Sequence, residues 1–357
     1  MQTVFQPRAL PVLIGSLPLT DHRQAVELIF EYTPEIPLWP QLPANAGEKM
    51  IPQFLSGMPG LQTPLDMARL DTTGDDFESG LVEFFRIYLE ACEDITRLEQ
   101  SPLALDPAVA KGFYVFLEKL ARLGQPVEAL KGQITGPFTL CTGVCDQEKR
   151  AIVYDDTLRD AGVKLVALKA AWQAAKLAEF ARPVIIFIDE PALAGFGSSE
   201  FISISRQQVA AMLHEVIDAI HRQGALAGVH VCANTDWSLI LESGADIVNF
   251  DAFGYFDRFI LYGDAIKAFI DGGGILAWGK VPTGHAEDIA AATPDDLYRS
   301  LVGDLEQVAS LGIAVKRLVG RSLVTPSCGT GSLSVDQALK VLALTRDLSQ
   351  RLRLEYS

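Results

Sequence analysis

The stretch "GVHVCANTDW", residues 228–237, sets His230 and Cys232 one residue apart at the end of an apolar run. In an extended strand end, residues two apart point the same way, so an imidazole and a thiol at this spacing can face one ion. Asp251 in "ADIVNFD" and Cys328 in "TPSCG" close two further apolar runs. Two thiolates, one imidazole and one carboxylate form a soft-to-borderline donor set, and tetrahedral coordination by such a set suits Zn²⁺ best. The competing reading makes Cys232 and Cys328 packed thiols and His230 a hydrogen-bonded core histidine. A lone H-x-C does not separate the two; a Cys and an Asp at independent strand ends favour the metal.

A zinc ion rich in thiolate ligands is a poor activator of water, because the sulfurs already donate much negative charge. Its natural use is to hold a substrate thiol as thiolate. A free thiol is only about 3% ionised at neutral pH, so full ionisation is worth roughly 2 kcal/mol of nucleophile population. Thiol alkylation is the chemistry expected. Cys141 and Cys145, four apart, resemble half a zinc knuckle, but no second pair stands at matching spacing, and both are read, with Cys92, as buried or incidental thiols.

The elements that must position these side chains follow from hydropathy. Apolar runs rich in Val, Ile, Leu and Phe alternate with longer amphipathic stretches, the pattern of buried parallel strands and helices. Eight strands are expected: "PVLIGS" (11–16), "IPLWPQ" (36–41), "EALKGQIT" (128–135), "PVIIFIDE" (183–190), "ALAGVHV" (225–231), "ADIVNFD" (245–251), "GILAWGK" (274–280) and "VKRLVGRSLVT" (315–325). Between them, "SRQQVAAMLHEVIDAIHRQG" begins on a capping Ser and ends on Gly. "TPDDLYRSLVGDLEQVASLG" has the same anatomy, and "SVDQALKVLALTRDLSQRL" closes the chain as a last helix. The expectation is an α/β fold, a (β/α)8 TIM barrel forming one domain over 1–357, with a helical insertion at about 42–127 between the second and third strands. An open doubly wound sheet is the alternative, but "IGSLPLT" lacks the glycine fingerprint of a dinucleotide fold. In a barrel, chemistry gathers at the C-terminal strand ends, where Ser16, Asp189, Glu190, His230, Cys232, Asp251, His285 and Cys328 all fall.

The chain has 357 residues, of which 49% are hydrophobic, enough for a large core. Its formal net charge of −15, with no basic cluster, argues against a nucleic-acid partner. No run of about 18 apolar residues suggests a membrane span, and the N-terminus lacks a basic cap followed by a long apolar segment. The chain is therefore read as cytoplasmic.

Taken together, "GVHVC", "GADIVNFD", "KVPTGH" and "TPSCG" resemble the catalytic C-terminal half of the cobalamin-independent methionine synthase family. That family lies within the wider group that includes uroporphyrinogen decarboxylase and the corrinoid-dependent methyltransferases. "IGSLPLT", "LKGQITGPFTL" and "IIFIDEPAL" are similar to its other signature blocks, in the right order and across nearly the whole chain. The resemblance implies zinc ligands His230, Cys232 and Cys328, with Asp251 where the family usually has Glu and as the ligand that yields to the substrate sulfur. It implies that Asp189 holds the amino group of homocysteine, that Ser16 and the backbone of Ile14 contact its carboxylate, that Glu48 is the second amine-binding acid, and that His285 is a proton donor. Glu190 is read as a helix cap.

A single barrel, and "CTGVCD" where the folate-using enzymes carry a Trp, bring the chain closest to short relatives that take their methyl group from a corrinoid. The implied activity is zinc-dependent transfer of a methyl group from methylcobalamin or a corrinoid protein to a thiol, homocysteine giving methionine. Alternatives are methyltetrahydrofolate as donor, coenzyme M or another thiol as acceptor, a porphyrinogen decarboxylase, and a zinc-bearing partner module for a corrinoid protein without turnover of its own.

Overall fold

The computed structural model describes residues 5–198 and 201–356. Seven parallel strands form one sheet: β1 Leu10–Pro11, β2 Leu130–Thr135, β3 Val184–Asp189, β4 Leu226–Val231, β5 Ile247–Phe250, β6 Ile275–Val281 and β7 Ser322–Pro326. Their order is β1-β7-β6-β5-β4-β3-β2. From β2 to β7, strands adjacent in the chain are therefore adjacent in space, linked by the helical crossovers that parallel pairing requires.

The alternation along each strand separates two cores. In β3, Val184, Ile186 and Ile188 pack with the surrounding helices in the large cluster. Ile185 and Phe187 point the other way and meet Leu10, Val12, Ile247 and Leu323. Because that second cluster draws side chains from β1 as well as from the middle of the sheet, the sheet curls and packs its inner face on itself.

Local chemistry fixes the helices. Ser205 and Gln208 make a reciprocal capping box at the start of Arg206–Arg222, and Gly224 follows that helix in the left-handed conformation. Thr293 caps Pro294–Ala309, whose first residue is the proline that the N1 position favours. Asp156–Leu177 is apolar on most of its circumference, with Leu165, Val166, Ala170 and Trp172 all buried, because it lies between the sheet and helices Phe77–Glu93 and Arg206–Arg222.

Three expected strands differ. Residues 36–41 form no strand; they make isolated parallel bridges, Ser16 to Gln41 and Leu38 to Lys131. Pro37 and Pro40 have no N–H to give a ladder, which explains why pairing here is sporadic. The first strand is shorter than expected, Leu10–Pro11, although Val12 still donates to the Val324 carbonyl at 2.9 Å. The last is displaced: Val315–Gly320 is helical, and the strand occupies Ser322–Pro326. Region 42–127 carries helices Phe77–Glu93 and Lys111–Leu120, with three short 3-10 turns before the first and one, Ile95–Leu98, between them. No described helix is long and apolar enough to cross a membrane.

Candidate metal centre

β4 ends on His230 and Val231, and Cys232 follows directly; β7 ends on Pro326, with Cys328 two residues on. The curl of the sheet brings these ends together. One ligand atom each from His230, Cys232 and Cys328 lie within 4.8 Å of one another, and among the described residues this is the one such group of three. Donor atoms around a tetrahedral zinc are about 3.5–3.8 Å apart, as bond lengths of about 2.0–2.3 Å require, so small side-chain adjustments suffice.

Two glycines allow the crowding. A Cβ on Gly279 of β6 would stand 2.6 Å from the Phe250 carbonyl oxygen and 3.0 Å from the Ser327 Cα, so glycine lets the ends of β5, β6 and β7 close up. A Cβ on Gly329 would stand 2.2 Å from the Ser16 Oγ, so glycine lets the segment after β7 pass beside the loop that follows β1.

His230 is buried and oriented. Its Nδ1 lies 2.5 Å from the Asn249 Oδ1 on β5. Asn249 Nδ2 donates to the Ala277 carbonyl and to Thr325 Oγ1, each at 2.8 Å. Since a carbonyl oxygen only accepts, the amide nitrogen must face Ala277 and the amide oxygen must face the histidine. Nδ1 therefore carries a proton, and Nε2 is the ring nitrogen left for the sulfurs or a metal. That Nε2 is buried without a hydrogen-bond partner. An orphaned ring nitrogen beside two sulfurs fits a soft or borderline cation.

Electrostatics point the same way. Hydrogen bonding from the Cys328 thiol, reinforced by His230 and opposed by burial, holds Cys232 well below the usual thiol range. The same contact, together with burial, pushes Cys328 up. The pair thus favours one thiolate in the absence of a second positive charge. For His230, burial opposes the charged form, but Cys232, Asp189 and Asn249 outweigh it and the pKa lies above its ordinary value. These groups draw positive charge to the cluster, as a proton or as a metal ion.

The other expected residues are placed as follows. Asp251 lies on the same rim, outside the three-residue group. Its Oδ1 accepts from the Gly254 N–H at 2.7 Å, and burial raises its pKa to about 6, with Cys232 and His230 close enough to act on it electrostatically. Asp189 closes β3 next to His230 in register and is buried, with Oδ1 unpartnered; burial raises it to about 6, against the pull of His230 and Lys131. The Ser16 Oγ accepts from the Gly331 N–H at 3.2 Å, which leaves its own O–H to donate. The Ile14 carbonyl takes a 2.6 Å hydrogen bond from Lys131.

Glu48 is buried in the insertion, where it pairs with His22 Nε2 at 2.6 Å and accepts from the Leu42 N–H and Asn45 Nδ2. His285 is exposed and immediately precedes helix Ala286–Ala291. Glu190 caps a helix, as expected, but that of the preceding unit: it accepts from the N–H groups of Phe138 and Thr139 and from Thr139 Oγ1 at 2.6–2.8 Å, at the start of Pro137–Gly143.

Three buried polar residues on the strands escaped the sequence reading: Asn249 beside His230, Lys131, and Lys280, which pairs with Asp304 of the outer helix Pro294–Ala309 and donates to the Ala252 carbonyl at 3.1 Å. Each interrupts an apolar strand, and that interruption was the available signal. Compared with protein-family models the chain matches none, and no curated protein matches its sequence.

Proposed function

We propose that the chain is a methyltransferase that holds a zinc ion on His230, Cys232 and Cys328 and moves a methyl group from a corrinoid, free or protein-bound, to homocysteine, giving methionine. The observation that carries this reading is the orphaned, buried Nε2 of His230, oriented by Asn249 toward the sulfurs of Cys232 and Cys328. The sequence blocks that resemble methionine synthases supply the reaction class. When bound, zinc would supply a Lewis acid that keeps an incoming thiol in its nucleophilic, ionised form.

The chain's own residues do the rest. Asp189, buried with a free carboxylate oxygen, is suited to an ammonium group next to the cluster. This favours an amine-bearing thiol over one such as coenzyme M. The Ser16 hydroxyl, on the loop that passes beside Gly329, is suited to the other end of an amino acid. Asp251 stands at the rim, where a weakly held carboxylate can give way to substrate. With the leaving group a corrinoid, no strong proton donor is needed, in keeping with the exposed position of His285; methyltetrahydrofolate as donor would require one.

In the same reading the curled sheet is a closed (β/α)8 barrel. Residues 36–41 serve as its irregular second strand between the β1 loop and β2, which their bridges to Ser16 and Lys131 support.

The test is zinc content together with methionine formation from methylcobalamin and homocysteine, wild type against Cys328→Ser. Stoichiometric zinc and turnover in the wild type, both lost in the variant, are expected. Full zinc and full rate in Cys328→Ser would overturn the assignment.

A further inference from the structure

The run "KVPTGH" is one of the blocks on which the family resemblance rests, yet its histidine, His285, is exposed and lies outside the three-residue cluster. Another residue of the run touches the neighbour of a ligand. Thr283 is buried, its Oγ1 lies 2.8 Å from the Ser327 Oγ, and its N–H donates to that same oxygen at 3.1 Å. Ser327, also buried, donates its own N–H to the Val281 carbonyl at 2.8 Å. Cys328 is the next residue in the chain.

The two thiols are presented differently. Cys232 follows β4 directly, whereas β7 ends at Pro326, whose pairing with Val281 is the last between β6 and β7, and Cys328 stands two residues beyond. The backbone that carries Cys328 is fixed on both sides. After it, the Thr330 N–H and Oγ1 donate to the Ser16 carbonyl at 3.0 and 2.9 Å. Before it come the three bonds between Ser327 and the 281–283 segment. A hydroxyl suits that place: with one proton and two lone pairs, the Ser327 Oγ takes the Thr283 N–H and still shares a hydrogen bond with the Thr283 hydroxyl. A donor held in place before a ligand arrives loses less freedom on binding it.

We infer that Thr283 is a positioning residue for the metal centre: through Ser327 it holds the turn that presents the Cys328 sulfur, as Asn249 holds the imidazole of His230. The inference rests on the metal site proposed above, and not on the reaction assigned to that site.

The experiment measures zinc affinity by competition with a chromophoric chelator, and stability of the metal-free protein by urea unfolding, in wild type, Thr283→Val, Thr283→Ser and Ser327→Ala. Valine keeps the outline of threonine and removes the hydroxyl; serine keeps the hydroxyl. Thr283→Val and Ser327→Ala are each expected to weaken zinc binding by about tenfold or more, as loss of a group behind a ligand commonly does, while Thr283→Ser stays within about threefold of wild type. A role in stability alone would lower the urea midpoint and leave the affinity of the folded protein where it is, so unchanged affinity in either of the first two variants overturns the inference. A loss in Thr283→Ser as large as in Thr283→Val overturns it too, because the hydroxyl is then not the cause. Should Thr283→Val fail to fold, Ser327→Ala and Thr283→Ser decide between the same outcomes. A wild type that takes up no zinc overturns the metal site and this inference together; zinc uptake without methyl transfer to homocysteine overturns the reaction alone.

Discussion

His230 on β4 and Asn249 on β5 are register partners, and the amide of Asn249 decides which imidazole nitrogen keeps its proton. Replacing Asn249 by Leu preserves the side-chain outline and removes that control. Loss of such an orienting partner commonly costs 10–100-fold in metal affinity. Competition against a chromophoric chelator should show zinc binding weakened by about that factor, with secondary structure retained. Unchanged affinity would mean that the ring is oriented by something other than Asn249.

The cluster and Asp251 should differ in kind. Cys232→Ala and Cys328→Ala each remove a donor from the group of three, and cobalt-substituted protein should lose roughly half its thiolate-to-metal absorption in either variant, since one sulfur of two remains. Asp251→Ala should leave that absorption near wild type and weaken metal retention less than either cysteine change. An Asp251 variant that cannot take up metal would place the carboxylate among the obligatory ligands.

Asp189 gives a pH dependence of definite sign. Burial raises its pKa from 3.8 to about 6, so it becomes the carboxylate that an ammonium needs only as pH rises through about 6. Homocysteine binding should weaken as pH falls through that value, and Asp189→Asn should remove the inflection. For stability the sign is opposite. Between 3.8 and about 6 the folded chain holds the proton and the unfolded chain does not, so this group's contribution to stability falls as pH rises across that window. Binding independent of pH from 5 to 8 in the wild type would remove Asp189 from the amine site.

Gly136 tests the packing behind the rim. A Cβ there would stand 2.1 Å from the Glu190 carboxyl carbon, and Glu190 cannot retreat without losing Phe138 and Thr139. Gly136→Ala should destabilise by about 2–4 kcal/mol in urea unfolding. A change below about 0.5 kcal/mol would show that Glu190 moves freely.

Much of this arrangement was legible in the sequence, for physical reasons. Buried parallel strands are nearly continuous apolar runs, so β2 to β6 stood out, and the convergence of His230, Cys232 and Cys328 follows from three strand-end residues on a curled sheet. Residues 36–41 looked like a strand by hydropathy, but Pro37 and Pro40 withhold the donors that a ladder needs. The segment 315–325 hid a change from helix to strand, because Val, Leu and Arg serve either state. Lys131 and Asn249 are hidden in runs that hydropathy marks as apolar, although "LKGQIT" places Lys131, Gln133 and Thr135 at alternate positions, all buried. Spacing does not report depth: Glu48, in the insertion, is enclosed with His22, whereas His285, just past a strand end, faces solvent.

The two prolines have a further consequence. Where residues 36–41 lie between the β1 loop and β2, main-chain bonding is sparse: Gln41 with Gly15 and Leu17, and Lys131 with Pro37. Local opening is cheapest where backbone bonds are few, so amide hydrogens along this seam should exchange with solvent well before those of β3 to β6. Ser16 borders the seam through its bridge to Gln41, so opening there frees the backbone that carries this hydroxyl.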